Sequence, residues 1–225
     1  MLLEQLLPHG VYAAERRVDD TPEPLFPEEL AHIARAVPKR RDEFTTVRYC
    51  ARLALRQLGM DRPPLVPGEG GAPTWPRGVV GSMTHCTGYR AAVVADGANV
   101  VSIGIDAEPD EPLPEGVEQA VMLPTERRHV AELAVAEPGP HWDRLLFSAK
   151  ESVYKTWYPL AGTWLDFEDA EVRFHPDGTF AVKLLIDHPP AASQPLTQVE
   201  GRWLSADGLL LTVVVLNAHA NGGAG

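Results

Sequence analysis

The nine residues Phe147–Lys155, FSAKESVYK, are the stretch around which the rest of the chain is read. They contain neither Gly nor Pro and read as helix. At roughly 100° per residue, Glu151 and Lys155 lie one turn apart on the same face, with Lys150 to one side. Trp142, Leu146, Ala149, Val153 and Trp157 fall on the opposite face and form a stripe suited to a core. One side of the helix is therefore anchored, and the other offers a carboxylate between two cations. That combination suits a metal-bound, doubly charged phosphate group. A Glu–Lys pair on a solvated helix has the same spelling, so the helix alone does not decide.

Toward the C-terminus, residues 163–170, 170–174, 180–186, 198–204 and 209–216 read as β segments joined by turns such as Pro176-Asp177-Gly178. The tail 218–225 reads as disordered. Toward the N-terminus, EPGP (137–140) is a break, and Thr125 is a candidate N-cap for a helix starting at Glu126. PDEPLPEG (109–116) reads as a linker. It divides an N-terminal lobe, 1–108, from a C-terminal lobe, 117–217. Residues 79–84 and 89–95 read as a hairpin, and 100–107 as a further strand. Alternation puts Asp106 and Glu108 on one side of that strand's end, where two carboxylates can chelate a hard cation. Acidic residues also end strands without any ligand.

The 61–78 segment is a Pro/Gly-rich loop, and 39–58 is a helix with Phe44, Val47, Ala51, Leu55 and Leu58 inward. It carries Lys39, Arg40, Arg41, Arg48, Arg52 and Arg56, the densest basic cluster in the chain. This is either a solvated face or a phosphate grip. A shorter helix from Pro27 has Leu30, Ile33, Ala34 and Val37 as its apolar face, and a first strand lies near Gly10–Ala14. Each half holds helices and a small sheet, which gives an α+β fold in two lobes.

Of 225 residues, 44% are apolar and 23% charged, with a formal net charge of −11. Bulk attraction to nucleic acid is excluded as a working function, and a polyanion must be held locally by basic residues or a metal. No apolar run approaches the roughly 18 residues of a membrane span. MLLEQLLPHG lacks the basic start of a signal peptide. Cys50 and Cys86 read as free thiols of a cytoplasmic protein.

Three segments in order, GSMTHC (81–86), IGIDAE (103–108) and FSAKESVYK (147–155), resemble the 4′-phosphopantetheinyl transferases. RRDEFTTVRYCAR and WPRGVVGSMTHCTGYRAAVV resemble the two-lobed, broad-specificity, actinobacterial-type members in particular. Those members serve polyketide, nonribosomal-peptide and siderophore synthesis. The resemblance implies two similar lobes related by a pseudo-two-fold, with the active site at their interface, in a monomer. It implies transfer of the phosphopantetheine arm of coenzyme A to a serine of an apo carrier protein, releasing adenosine 3′,5′-bisphosphate. A Mg-dependent pyrophosphate hydrolase and a non-catalytic coenzyme A or carrier-binding module are the alternatives.

By the same resemblance, Asp106, Glu108 and Glu151 match the ligands of Mg2+, for which Mn2+ can substitute. Glu151, directly or through water, matches the base, while Lys150 and Lys155 match the lysines on the pyrophosphate. His85 and the adjoining Thr84 belong to the motif that contacts a coenzyme A phosphate. Arg40 and Arg48 match the grip on the 3′-phosphate, with Arg41 competing for Arg40's place. The lysine that many relatives carry in the glycine-rich loop is missing here, where Glu69 stands and Arg77 lies nearby. Met122–Arg128 is the expected carrier-docking segment, or else a buried helix start.

Overall fold

The computed structural model describes residues 1–186 and 196–218; the expected disordered tail lies outside these from 219 onward. The chain divides into two compact units. One is Met1–Ile103 with Asn217 and Ala218; the other is Gly104–Leu216. The expected α+β architecture with a sheet in each part is observed.

In the first unit, β1 (Val11–Arg16), β3 (Tyr89–Asp96) and β2 (Val79–Cys86) form an antiparallel sheet in the order β1-β3-β2. The β2–β3 register pairs Cys86 with Tyr89, which leaves the two-residue turn Thr87-Gly88. Gly88 takes φ +73°, the left-handed conformation such a turn requires. α1 (Pro27–His32) is shorter than expected: Leu30 is 52% exposed and Val37 66%, so no apolar stripe extends the helix. α2 (Pro38–Gln57) packs Cys50, Ala51, Ala54 and Leu55 against Ala14, Ala92 and Val94 of the sheet.

In the second unit, β4 (Val100–Pro109), β5 (Ala170–Phe174), β6 (Thr179–Leu184), β7 (Gln198–Ala206) and β8 (Leu209–Asn217) are ordered β4-β8-β7-β6-β5. The first three residues of β4 and Ile103 belong to the first unit. α3 (Val117–Val121), α4 (Pro124–Ala136) and α5 (Trp142–Ala161) complete it. The expected stripe of α5, Trp142, Leu146, Ala149, Val153 and Trp157, is buried with Val172, Phe174, Phe180 and Val214. Residues 163–170 are not a strand but carry a short 3-10 turn, Phe167–Asp169. α4 begins at Pro124 rather than behind a Thr125 cap, and Thr125 Oγ1 instead donates to Glu171.

The division falls inside β4 and not at 109–116. Asp106 and Glu108 therefore belong to the second unit. The stretch expected to be a linker is bonded into that unit, with the Asp110 N–H donating to Gly208 O at 2.9 Å.

Candidate active site

Gly104 decides how the acidic residues of β4 meet α5. A Cβ at this position would run into the Ser152 carbonyl oxygen and into Thr156, so strand and helix backbones touch here. Only glycine permits that approach. The contact brings the next outward residues of β4 against the charged face of α5. Lys155 Nζ donates to Asp106 Oδ1 at 2.6 Å and to Ile105 O at 3.1 Å. Arg144, seven residues before Glu151, donates Nη1 to Glu108 Oε2 at 2.9 Å.

Glu151 is half-buried on the same face. Burial raises its pKa first, Asp106 raises it further and Glu108 adds to this, while Lys155 opposes them. Glu108 is likewise raised by burial and then by Asp106, with Arg144 and Lys155 opposing. The three carboxylates thus lie within one another's field. Among the described residues, however, no three Asp, Glu, His or Cys side chains form a ready-made metal cluster. Lys155 and Arg144 each hold one oxygen of two of them. The donor set is all carboxylate oxygen, which fits a hard divalent cation. Such a cation would also relieve the repulsion that raises Glu108 and Glu151.

Beside Glu151 stands an aromatic group: Tyr154 packs on Trp164 with centroids 4.7 Å apart and on Tyr158 at 5.7 Å. The Tyr154 hydroxyl is buried and has no hydrogen-bond partner among the described residues.

Lys150 does not join this face. Its ammonium donates to Val121 O at 2.9 Å and Phe167 O at 2.6 Å, and pairs with Glu126 at 2.7 Å. An ammonium has three N–H groups, and all are used in the interior. Burial lowers its pKa, with Glu126 opposing. Lys150 is thus a buried cation whose donors face the interior and not the acidic face where the pyrophosphate contact is expected. The expected docking segment is mixed: Met122 and Glu126 are buried, at 5% and 1% exposure, while Pro124, Thr125, Arg127 and Arg128 are exposed.

The first unit gathers a second polar group. Arg40 Nη1 lies 2.6 Å from His85 Nε2. A guanidinium only donates, so Nε2 accepts and the ring proton sits on Nδ1 in this arrangement. Glu43 lies 3.6 Å from His85 and 3.9 Å from Arg40, and both of these partners reach the surface. Arg41 is turned away, donating to the carbonyls of Ala34 and Ala36. It therefore leaves this place to Arg40.

Arg48 is 5% exposed. It stacks on the Phe44 ring, donates Nε to Leu65 O at 2.7 Å and lies 4.0 Å from Glu29. Burial lowers its pKa, and Glu29 opposes this. Thr84 is 3% exposed and alternates with His85 along β2, so the two side chains leave opposite faces of the sheet. The structure thus brings Arg40 and His85 together, and gives Arg48 and Thr84 buried positions.

Two family profiles match the chain. The 4′-phosphopantetheinyl transferase N-terminal domain covers residues 27–95, and the 4′-phosphopantetheinyl transferase superfamily covers 102–212. The 4′-phosphopantetheinyl transferase Svp of Streptomyces mobaraensis is 57% identical over 90% of this chain and 82% of its own. PptT of Mycobacterium tuberculosis is 51% identical over 85% and 86%. Npt of Nocardia iowensis is 48% identical over 95% and 99%. The chain belongs to the 4′-phosphopantetheinyl transferase family.

As a transferase of the broad-specificity, actinobacterial branch, it moves phosphopantetheine from coenzyme A to carrier proteins. Among the described residues, no helix is long and apolar enough to cross a membrane. The sequence reading missed Glu43, Gly104 and Arg144. Arg144 was within reach, because steps of seven and four residues put Arg144, Glu151 and Lys155 on one helical stripe. The glycine of IGIDAE gives no signal of what it touches.

Proposed function

We propose that Asp106, Glu108 and Glu151 hold Mg2+ over the pyrophosphate of coenzyme A, with Lys155 beside it, and that Arg40 and His85 hold a phosphate of the nucleotide end. The observation that carries this reading is the mutual field of the three carboxylates, which raises Glu108 and Glu151. A bound divalent cation supplies neutralisation of charge on the pyrophosphate oxygens. Mn2+ serves the same donors.

The serine oxygen of the carrier attacks the β-phosphorus. The P–O bond to the leaving adenosine 3′,5′-bisphosphate breaks, and the serine proton passes to Glu151 directly or through a water. Burial and Asp106 raise the proton affinity of Glu151 in the metal-free site, and a ligated cation acts against this, so the direct and the water-relayed routes both stand. Lys155 spends two of its three N–H groups on Asp106 and Ile105. The third serves a phosphate oxygen as a point charge. Arg40 offers the fork that suits a phosphate. The enzyme works as a monomer, and its free thiols Cys50 and Cys86 suit the cytoplasm. The carrier is a helical acyl or peptidyl carrier met through a local surface, since the net charge of −11 gives no long-range attraction to an acidic partner.

The test is the intact mass of an apo carrier incubated with coenzyme A and Mg2+. Wild-type enzyme should add the phosphopantetheine mass to the carrier serine. Glu151→Gln and Asp106→Asn should each lose at least about 100-fold in kcat/KM while keeping native circular dichroism. Full turnover in either variant would remove the metal and base assignments.

A further inference from the structure

The segment from Glu108 to Leu113 is stapled to the start of α5 by three residues, His141, Asp143 and Arg144. His141 donates its backbone N–H to Asp110 Oδ1 at 2.9 Å, and its Nδ1 lies 2.8 Å from the same oxygen. Asp143 Oδ2 accepts the Leu113 N–H at 2.8 Å. Arg144 is the third, and it differs from the others. Its Nη1 donates to Glu108 Oε2 at 2.9 Å, its Nη2 to Pro112 O at 2.8 Å and its Nε to Glu111 O at 3.2 Å. Three edges of one planar guanidinium are thus fixed on three acceptors, two of them backbone, and the group is only 17% exposed.

We propose that Arg144 is the positioning residue for Glu108. It immobilises Oε2 and leaves Oε1 for the divalent cation. The inference rests on the reading of Glu108 as a metal ligand given above. The fork is anchored by Glu111 O and Pro112 O whether or not a cation is present, so the carboxylate does not have to be ordered when one arrives. Outer partners of ligating carboxylates act in this way, and their loss typically costs about 10–100-fold in metal affinity. Lysine cannot replace the fork, because one ammonium cannot span the carboxylate and both carbonyls in the same plane.

The experiment is an Mn2+ titration followed by electron paramagnetic resonance at saturating coenzyme A, on wild-type enzyme and four variants. Arg144→Gln should bind Mn2+ about 10–100-fold more weakly, and Arg144→Lys should fall in between. Asp143→Ala cuts a neighbouring staple without touching Glu108 and should bind as wild type. In transfer assays the Mg2+ concentration for half-maximal rate should rise in Arg144→Gln, with the KM for coenzyme A unchanged. Wild-type or tighter Mn2+ binding by both Arg144 variants would overturn the proposal, as would an equal loss in Asp143→Ala. Should Arg144→Gln fail to fold, Arg144→Lys carries the test. The metal reading fails separately: wild-type enzyme would not bind Mn2+, or Glu108→Gln would bind it as wild type does.

Discussion

Glu29 in the first unit and Glu126 in the second occupy the same local setting. Each follows a hydrophobic residue, a proline and one further residue, in FPEE (26–29) and LPTE (123–126). Each carboxylate reaches back to cap its own helix: Phe26 N–H donates to Glu29 at 2.9 Å and Leu123 N–H to Glu126 at 2.7 Å. Each also takes a distant backbone N–H at 2.7 Å, from Leu65 and from Val172. Finally, each binds a buried cation from the long helix of its unit, Arg52 on α2 or Lys150 on α5. The difference lies in the cation. Lys150 has three donors and three acceptors, whereas Arg52 leaves Nη1 buried without a partner among the described residues. Glu29 also keeps Arg48 at 4.0 Å as a second cation. The second hub is complete but has no reserve; the first is incomplete but redundant.

Lys150→Met breaks that comparison most strongly. It leaves Glu126 charged, buried and without a counterion, a loss of about 3–5 kcal/mol. Arg52→Met should cost less, because Arg48 remains beside Glu29. Urea unfolding of the two variants checks the order, and Lys150→Met/Glu126→Leu should recover most of the loss, since the unpaired charge goes with it. A Lys150→Met protein as stable as wild type but unable to transfer phosphopantetheine would return Lys150 to the pyrophosphate.

Arg40 and Arg48 sharpen the contrast within α2. Arg40 reaches solvent beside His85, so Arg40→Ala should raise the KM for coenzyme A by about 10-fold or more, the scale of one lost charge-assisted hydrogen bond. Its unfolding midpoint should stay unchanged. Arg48→Ala removes the stack on Phe44 and the bond to Leu65 O, so its first effect should be on stability. If Arg48→Ala instead raises the KM with no loss of stability, Arg48 contacts the nucleotide after all.

These cases show what the sequence could and could not reveal. The two long helices and the strands of the hairpin and of β5 to β8 are legible, because apolar spacing is a local property; the hairpin turn is shorter than the expected 85–88, and 163–170 is not a strand. The meeting of Asp106 with Lys155, on the face that carries Glu151, agrees with the family resemblance and the alternation of β4. The fate of individual cations is not legible. Lys150 lies beside Glu151 in the chain, about 100° away around the helix, and that small rotation separates a phosphate site from the interior. Whether a lysine there is buried depends on a glutamate placed by another helix, and no window around FSAKESVYK contains it. The supposed linker misled for a related reason. PDEPLPEG has the composition of a solvated connection, yet Asp143 takes its Leu113 N–H, Arg144 its Glu111 and Pro112 carbonyls, and His141 its Asp110 carboxylate.

The smallest predicted effect extends the second hub along α4. Glu126 accepts the N–H of Val172, and His129 Nε2 accepts that of Phe174 at 3.1 Å, so both cap outward groups of β5, an edge strand. Accepting is open only to the neutral ring. Burial, and then Arg173, hold the His129 pKa below its ordinary 6.5, with His175 acting in the same direction and Glu132 against it. Between that lowered value and 6.5 the unfolded chain binds the proton and the folded one does not. Stability from this group is therefore complete above 6.5 and declines as the pH falls through the window. His129→Gln keeps a carbonyl acceptor that does not titrate. The urea midpoint of wild-type protein should thus drop further between pH 7.5 and 5.5 than that of His129→Gln. The other histidines contribute equally to both proteins and cancel in the comparison. Parallel pH dependences would mean that the edge of β5 does not rely on a neutral His129.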